Sequence, residues 1–146
     1  MTGTTRFALN AADTAALKAY LDGGGLLFAD AAGGAADFTE SFLTLLKALY
    51  PDNPMQPLPQ DHPIITGTMP DGESAAEVGF RKYGTLNLGR RITTPKLEAI
   101  TIHGRLAVVL SPYDITSGLL GTSTWGIIGY APDSAETLAR NILLFS

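Results

Sequence analysis

The stretch Leu17-Lys18-Ala19-Tyr20-Leu21-Asp22-Gly23-Gly24-Gly25-Leu26-Leu27-Phe28-Ala29-Asp30 joins a helix end, a glycine stop, a short apolar run and an aspartate. Residues 26–29 are too few for a helix and are flanked by glycine, so they read as a buried strand. This is half of an α/β crossover unit. It sets the Asp30 carboxylate at a sheet edge, where open α/β sheets bind ligands. Working back, Asn10 predicts a helix N-cap, with Asp13 offering a carboxylate to the free amides. Ala12, Ala16, Leu17, Tyr20 and Leu21 then share one face at helical spacing. Gly23 is expected to take the left-handed residue that ends the helix.

Working forward, the loop Ala31-Ala32-Gly33-Gly34-Ala35-Ala36 leads to Asp37 and Glu40, an acidic relative of the capping box. Phe38, Phe42, Leu45, Leu46 and Leu49 form the apolar stripe of the helix, which Pro51 stops near Tyr50. Residues 51–70 hold six of the nine prolines and read as a long surface connection. Val78 and Phe80 alternate with polar neighbours, as on an edge strand. Residues 97–102 and 105–110 are two further strands, joined by His103-Gly104 as a two-residue hairpin turn. Ser111-Pro112-Tyr113-Asp114 ends the second of them, and a glycine-rich loop bearing Trp125 follows. Asp133 and Glu136 make a second acidic capping box, for a closing helix through Phe145 with Leu138, Ile142 and Leu143 inward. The order of elements gives α/β layering in one domain over residues 1–146. Three strands make a thin sheet, so one edge is expected to need a partner.

Bulk properties narrow the classes. With 45% hydrophobic and 16% charged residues the chain is not disordered. A formal charge of −4 gives no general reason to expect nucleic acid. No apolar run approaches the roughly 18 residues that span a bilayer, so membrane insertion is not expected. Cysteine is absent, which removes disulfides, thiolate metal sites and cysteine nucleophiles together.

Several stretches taken in order carry a resemblance: residues 17–30, Asp61-His62-Pro63-Ile64, Gly104-Arg105-Leu106-Ala107-Val108, Ser111-Pro112-Tyr113-Asp114 and Ala139-Arg140-Asn141. The chain resembles an uncharacterised bacterial family, a domain of unknown function with a class I glutamine amidotransferase-like fold, distantly similar to trehalose-utilisation-type proteins. The resemblance implies a three-layer α/β/α sandwich of flavodoxin-like type that lacks its first strands here. It also implies placement in the C-terminal part of a longer, exported bacterial polypeptide. Glutamine amidotransferases act through a cysteine on a sharp strand–helix turn, and that activity does not carry over to a chain without cysteine.

Candidate chemistry centres on the strand ends. Asp30 with Gly33 and Gly34 could bind a ligand, although the glycine spacing matches neither the dinucleotide fingerprint nor the P-loop. The simpler reading is a tight turn with Asp30 capping backbone amides. Asp114, with Ser111 and Tyr113, also follows a strand, and two neighbouring carboxylates could share acid–base work or hold a cation. Its simpler reading is an Asx-type turn after Pro112. His62 lies on the proline-rich connection, where a histidine can serve as a base or ligand, though no metal-site spacing accompanies it. Gly121-Thr122-Ser123-Thr124-Trp125-Gly126 is one residue too long for a nucleophile elbow. Arg81, Lys82, Arg90, Arg91, Lys96 and Arg105 give residues 81–105 a charge of +5, against −9 elsewhere. That is a solvated face or a docking patch.

No catalytic or cofactor motif is complete, and no cofactor or metal is expected. The sequence therefore favours a binding or assembly module that pairs with a copy of itself or with the remainder of a parent polypeptide. The alternative is a hydrolase- or amidotransferase-like enzyme on a small polar substrate, with Asp30, His62 and Asp114 converging on one site.

Overall fold

The computed structural model describes residues 1–89 and 91–146. Helix α1 spans Ala11–Asp22 and begins as the sequence predicts. The Asp13 amide donates to Asn10 Oδ1 at 2.9 Å, which satisfies one orphan donor of the first turn. The stop falls one residue later than expected: Gly23 keeps right-handed helical angles and Gly24 takes the positive φ, 107°. The inward face is also thin, because only Leu21 is buried and Tyr20 is 53% exposed.

Strand β2, Leu27–Ala31, starts one residue into the apolar run and continues through Asp30, so this carboxylate lies within the strand. A 3-10 turn at Ala32–Gly34 leads to α2, Ala36–Leu49, whose Phe38, Phe42 and Leu46 are buried. The acidic capping box does not form. Ala35 is the N-cap without a side-chain bond, and Asp37 and Glu40 instead pair with Arg6 at 3.2 and 3.1 Å. The second box fails in the same way. Helix α6, Pro132–Phe145, has Ala131 as N-cap and Pro132 in its first turn, while Glu136 pairs with Arg140 at 3.0 Å. Proline at that position has no amide to satisfy, so a cap contributes less.

Among the described residues there are five strands and six α-helices. The remaining strands are β1 (Thr2–Gly3), β3 (Gln56–Pro57), β4 (Glu98–Ile102) and β5 (Arg105–Ser111). They form one sheet in the order β1-β2-β5-β4-β3, with β1, β2 and β5 parallel and the β4 neighbours antiparallel. The hairpin holds as read: His103 and Gly104 both take positive φ, 51° and 76°, as a primed two-residue turn requires. The expected edge strand at Val78 and Phe80 is absent, and Phe80 makes only an isolated bridge to Tyr130. Helix α4, Lys82–Leu88, follows it directly.

Side chains alternate across the sheet with period two. Ala29, Ala31, Val108, Leu110 and Ile100 pack with Phe38, Phe42 and Leu46 of α2, and Leu21 of α1 joins that side. Phe28, Val109 and Ala99 pack on the other face with Leu138 and Ile142 of α6 and with Ile64 and Ile65 of α3, Pro63–Thr66. The result is an α/β sandwich with a core on each sheet face. Leu143 is expected inward with Leu138 and Ile142, but it is 71% exposed, because it lies off the buried face of α6 that Ala135, Leu138 and Ile142 form. Nor is the proline-rich connection merely a surface loop. Leu58, Ile64 and Ile65 are buried in the second core.

Asn141 fixes that connection in place. Its Oδ1 accepts from the Glu73 amide at 3.1 Å, and Nδ2 donates to the Ile64 and Glu73 carbonyls at 2.8 and 2.6 Å. The side chain is fully buried, so removing it strands three backbone groups away from water. Asn141→Leu is expected to lower stability by about 2–3 kcal/mol and Tm by roughly 5–10 °C in thermal unfolding. An unchanged Tm would show that these groups find other partners.

Candidate functional site

The register of β2 on β5 sets Asp30 opposite Ser111, and Asp114 follows three residues later. The two carboxylates therefore reach the same sheet edge, because β2 and β5 are neighbours. Both are buried: Asp30 is 2% and Asp114 0% exposed. Asp30 Oδ1 accepts from the Ile115 amide at 2.9 Å, and Oδ2 accepts from the Thr116 amide and hydroxyl at 3.0 and 2.6 Å. Asp114 Oδ1 accepts from the Ser117 amide at 2.7 Å. Its Oδ2 accepts from the Gly33 amide at 2.5 Å and the Ser117 hydroxyl at 2.7 Å. Each aspartate thus ties the end of one strand to the loop beyond its neighbour. Asp30 thus caps backbone amides, the simpler of its two readings, while Asp114 bonds the amides of Ser117, three residues on, and of Gly33 in place of a local Asx-type turn.

The loops are drawn in tightly around this pair. The Asp114 amide donates to the Ile128 carbonyl and its carbonyl accepts from the Tyr130 amide, at 3.1 and 2.9 Å, while the Ile128 amide reaches the Gly33 carbonyl at 3.1 Å. Gly34 has φ 75°, and a Cβ there would lie 2.7 Å from the Ile128 carbonyl oxygen, so only glycine permits the approach. The Ser111 hydroxyl donates to the Tyr113 carbonyl at 2.5 Å and is itself fully buried. Helix α5, Thr116–Leu119, grows directly from the amides that the two aspartates hold.

Burial pushes the Asp30 carboxyl above its ordinary value, and the Thr116 and Ile115 donors only partly offset this; the Asp114 charge adds to the rise. The folded state therefore holds the Asp30 proton more tightly than the unfolded chain does. Its contribution to stability is largest below the ordinary carboxylate value of 3.8, and is lost as pH rises through the elevated one.

His62 lies elsewhere. It is the N-cap of α3, where Nδ1 accepts from the Ile64 amide at 3.2 Å, and its ring packs on Phe145 at 4.8 Å. Burial lowers its pKa, against the pull of Asp61, which agrees with an unprotonated Nδ1 serving as acceptor. His62 lines a groove of about 630 Å³ with Gly104 and Leu106, at the start of β5. Asp30 and Asp114 are at its finish and do not line that groove. The three candidates of the enzymatic reading are thus not brought together. Among the described residues no group of three or more His, Asp or Glu could hold a metal ion.

The basic run is dispersed as well. The Arg81 guanidinium donates to the carbonyls of Ser117 and Thr122. Arg105 donates to the carbonyls of Leu21 at 2.6 Å and Gly25 at 3.0 Å, which completes the end of α1. Arg90 lies outside the described residues. Sequence reading counted these cations as charge and missed them as carbonyl clamps, since nothing local marks the partner. It also missed the pairing of Trp125 with Tyr83 of α4, edge-on at 5.2 Å beside a cleft of about 320 Å³. The exposed indole in a glycine-rich loop was the one available signal.

Fold and strand-end geometry define an α/β sandwich protein with a mixed five-stranded sheet and two buried carboxylates bracing its loop edge. A family described as a domain of unknown function, DUF4159, matches residues 1–146, and the chain belongs to it. No curated protein matches the chain. No helix among the described residues is long and apolar enough to cross a membrane.

Asp30→Asn turns one oxygen into a donor facing a donor. It should cost about 2 kcal/mol and lower Tm by roughly 4–8 °C. In Tm measured against pH, the gap between wild type and Asp30→Asn should widen on acidification through the raised Asp30 pKa. A gap that narrows would mean that the three donors outweigh burial.

Proposed function

We propose that the protein is a non-catalytic binding or assembly module that associates with copies of itself. One observation carries this reading: both carboxylates at the loop edge are buried, and all four of their oxygens are engaged by amides and hydroxyls. A general acid or base needs a free oxygen within reach of the substrate proton. These two instead make a rigid platform of the loops around them. Large apolar side chains exposed at the two ends of α6 support the assembly half of the reading. The enzymatic alternative, a hydrolase- or amidotransferase-like activity through Asp30, His62 and Asp114, loses its support because His62 is at the opposite end of β5.

On the same footing we read the sheet as a member of the flavodoxin-like, glutamine amidotransferase-like sandwiches. The three parallel strands and the loops at their ends support this. The bacterial, exported parent polypeptide implied by the resemblance belongs to this reading too, with the remainder of that parent as a further partner.

Sedimentation velocity with light scattering, from low to high micromolar protein, tests the assembly reading. The expected result is a mean mass that rises with concentration. A well-folded chain that stays at 15.4 kDa throughout would overturn it.

A further inference from the structure

Helix α3 has one amide that its own turn does not satisfy. Pro63, at its first position, has no N–H, and the amides of Ile65 and Thr66 donate to the His62 carbonyl at 2.8 and 3.0 Å. That leaves the Ile64 amide, which donates to His62 Nδ1 at 3.2 Å. Ile64 is fully buried, so water does not reach this amide to replace the acceptor.

His62 also joins the connection to its surroundings. Its amide donates to the Pro59 carbonyl at 3.1 Å, and its ring packs on Phe145 at the end of α6. The ring walls the groove of about 630 Å³ together with Leu58 and Leu106. A ring nitrogen accepts a hydrogen bond only while it carries no proton. Protonation turns Nδ1 into a donor that faces a buried donor.

Burial holds the ring in its neutral form, against the pull of Asp61 beside it. The other titratable groups nearby are Asp52 in the groove wall, the Ser146 carboxylate beyond Phe145, and His103, exposed on the hairpin next to Gly104. Residues 141–145 of α6 are uncharged, and the Arg105 guanidinium is engaged by the Leu21 and Gly25 carbonyls. The folded state thus binds the His62 proton more weakly than the unfolded chain does. The stabilisation is complete above the ordinary value of 6.5 and is lost between that value and the lowered one as pH falls.

We propose that His62 is an acid-sensitive latch: on protonation its ring swings off the Ile64 amide and off Phe145, freeing the start of α3 and opening the groove that the ring helps to wall. The opening is local. The Leu58 amide keeps the Leu97 carbonyl at 2.8 Å, and Asn141 keeps the Ile64 carbonyl at 2.8 Å. The latch operates within one chain and does not depend on association between copies.

The chain has two histidines, which makes the assignment clean. The experiment is NMR on wild type, His62→Asn and His103→Gln between pH 7.5 and 5. Ring nitrogen shifts report the tautomer and titration of each histidine, and amide exchange, corrected for its intrinsic pH dependence, reports the opening. In wild type the neutral His62 ring should carry its proton on Nε2. Protection of the Ile64 amide should fall several-fold as His62 titrates, and the Phe145 ring signals should move with it. Asparagine caps through an oxygen that does not titrate, so His62→Asn should keep its protection across the range. His103→Gln should behave as wild type. A neutral ring protonated on Nδ1, or Ile64 protection that does not change with pH, would overturn the latch even if neither variant folds. So would an equal loss in His62→Asn, or a loss spread evenly over all amides, which marks global acid unfolding.

Discussion

Two buried carboxylates hold the loop edge of this protein together. Asp30 and Asp114 leave adjacent parallel strands, and each reaches across to the amides beyond the other's strand. A buried carboxylate is costly without donors, and a loop amide is costly without an acceptor. Each group is therefore tolerable only in the presence of the other. The start of α5, the turn at Gly33 and the return of the chain at Ile128 all depend on this exchange.

The brace also separates structure from function. Oxygens committed to holding loops are not free to act on a substrate, so the recognisable strand-end aspartates are structural and the exposed surface lies elsewhere. A similar division recurs at Asn141, where one buried amide pins two distant segments to α6. Arg105 and Arg81 repeat it with guanidinium groups on carbonyls. Apolar side chains also collect, exposed, at both ends of the closing helix.

How much was legible depended on how local the physics was. The Asn10 cap, the β4–β5 hairpin and the stripe of Phe38, Phe42 and Leu46 needed only neighbours a few residues away, and they formed as read. The acidic boxes at Asp37 and Asp133 looked equally local and failed. Asp37 and Glu40 instead pair with Arg6 from another segment, and Pro132 left the second box less to satisfy. Tyr20 had the right period but is half exposed, while Leu143 falls beside the buried face of its helix. Periodicity tells which residues share a face, and says nothing of whether that face is covered. His62 was placed with the aspartates by residue type, and only the path of the chain carried it to the other end of β5.

Sequence by itself determined the α/β class, the placing of Asp30 and Asp114 at the ends of two strands, and the absence of cysteine chemistry. Those follow from composition and from spacings of two to four residues. Tertiary structure alone decided that each aspartate gives an oxygen to the loop beyond the other's strand, that Arg81 and Arg105 are clamps, and that Trp125 meets Tyr83. These contacts join residues from roughly thirty to more than eighty positions apart. The energy of such a bond depends on burial and approach, which no local pattern encodes.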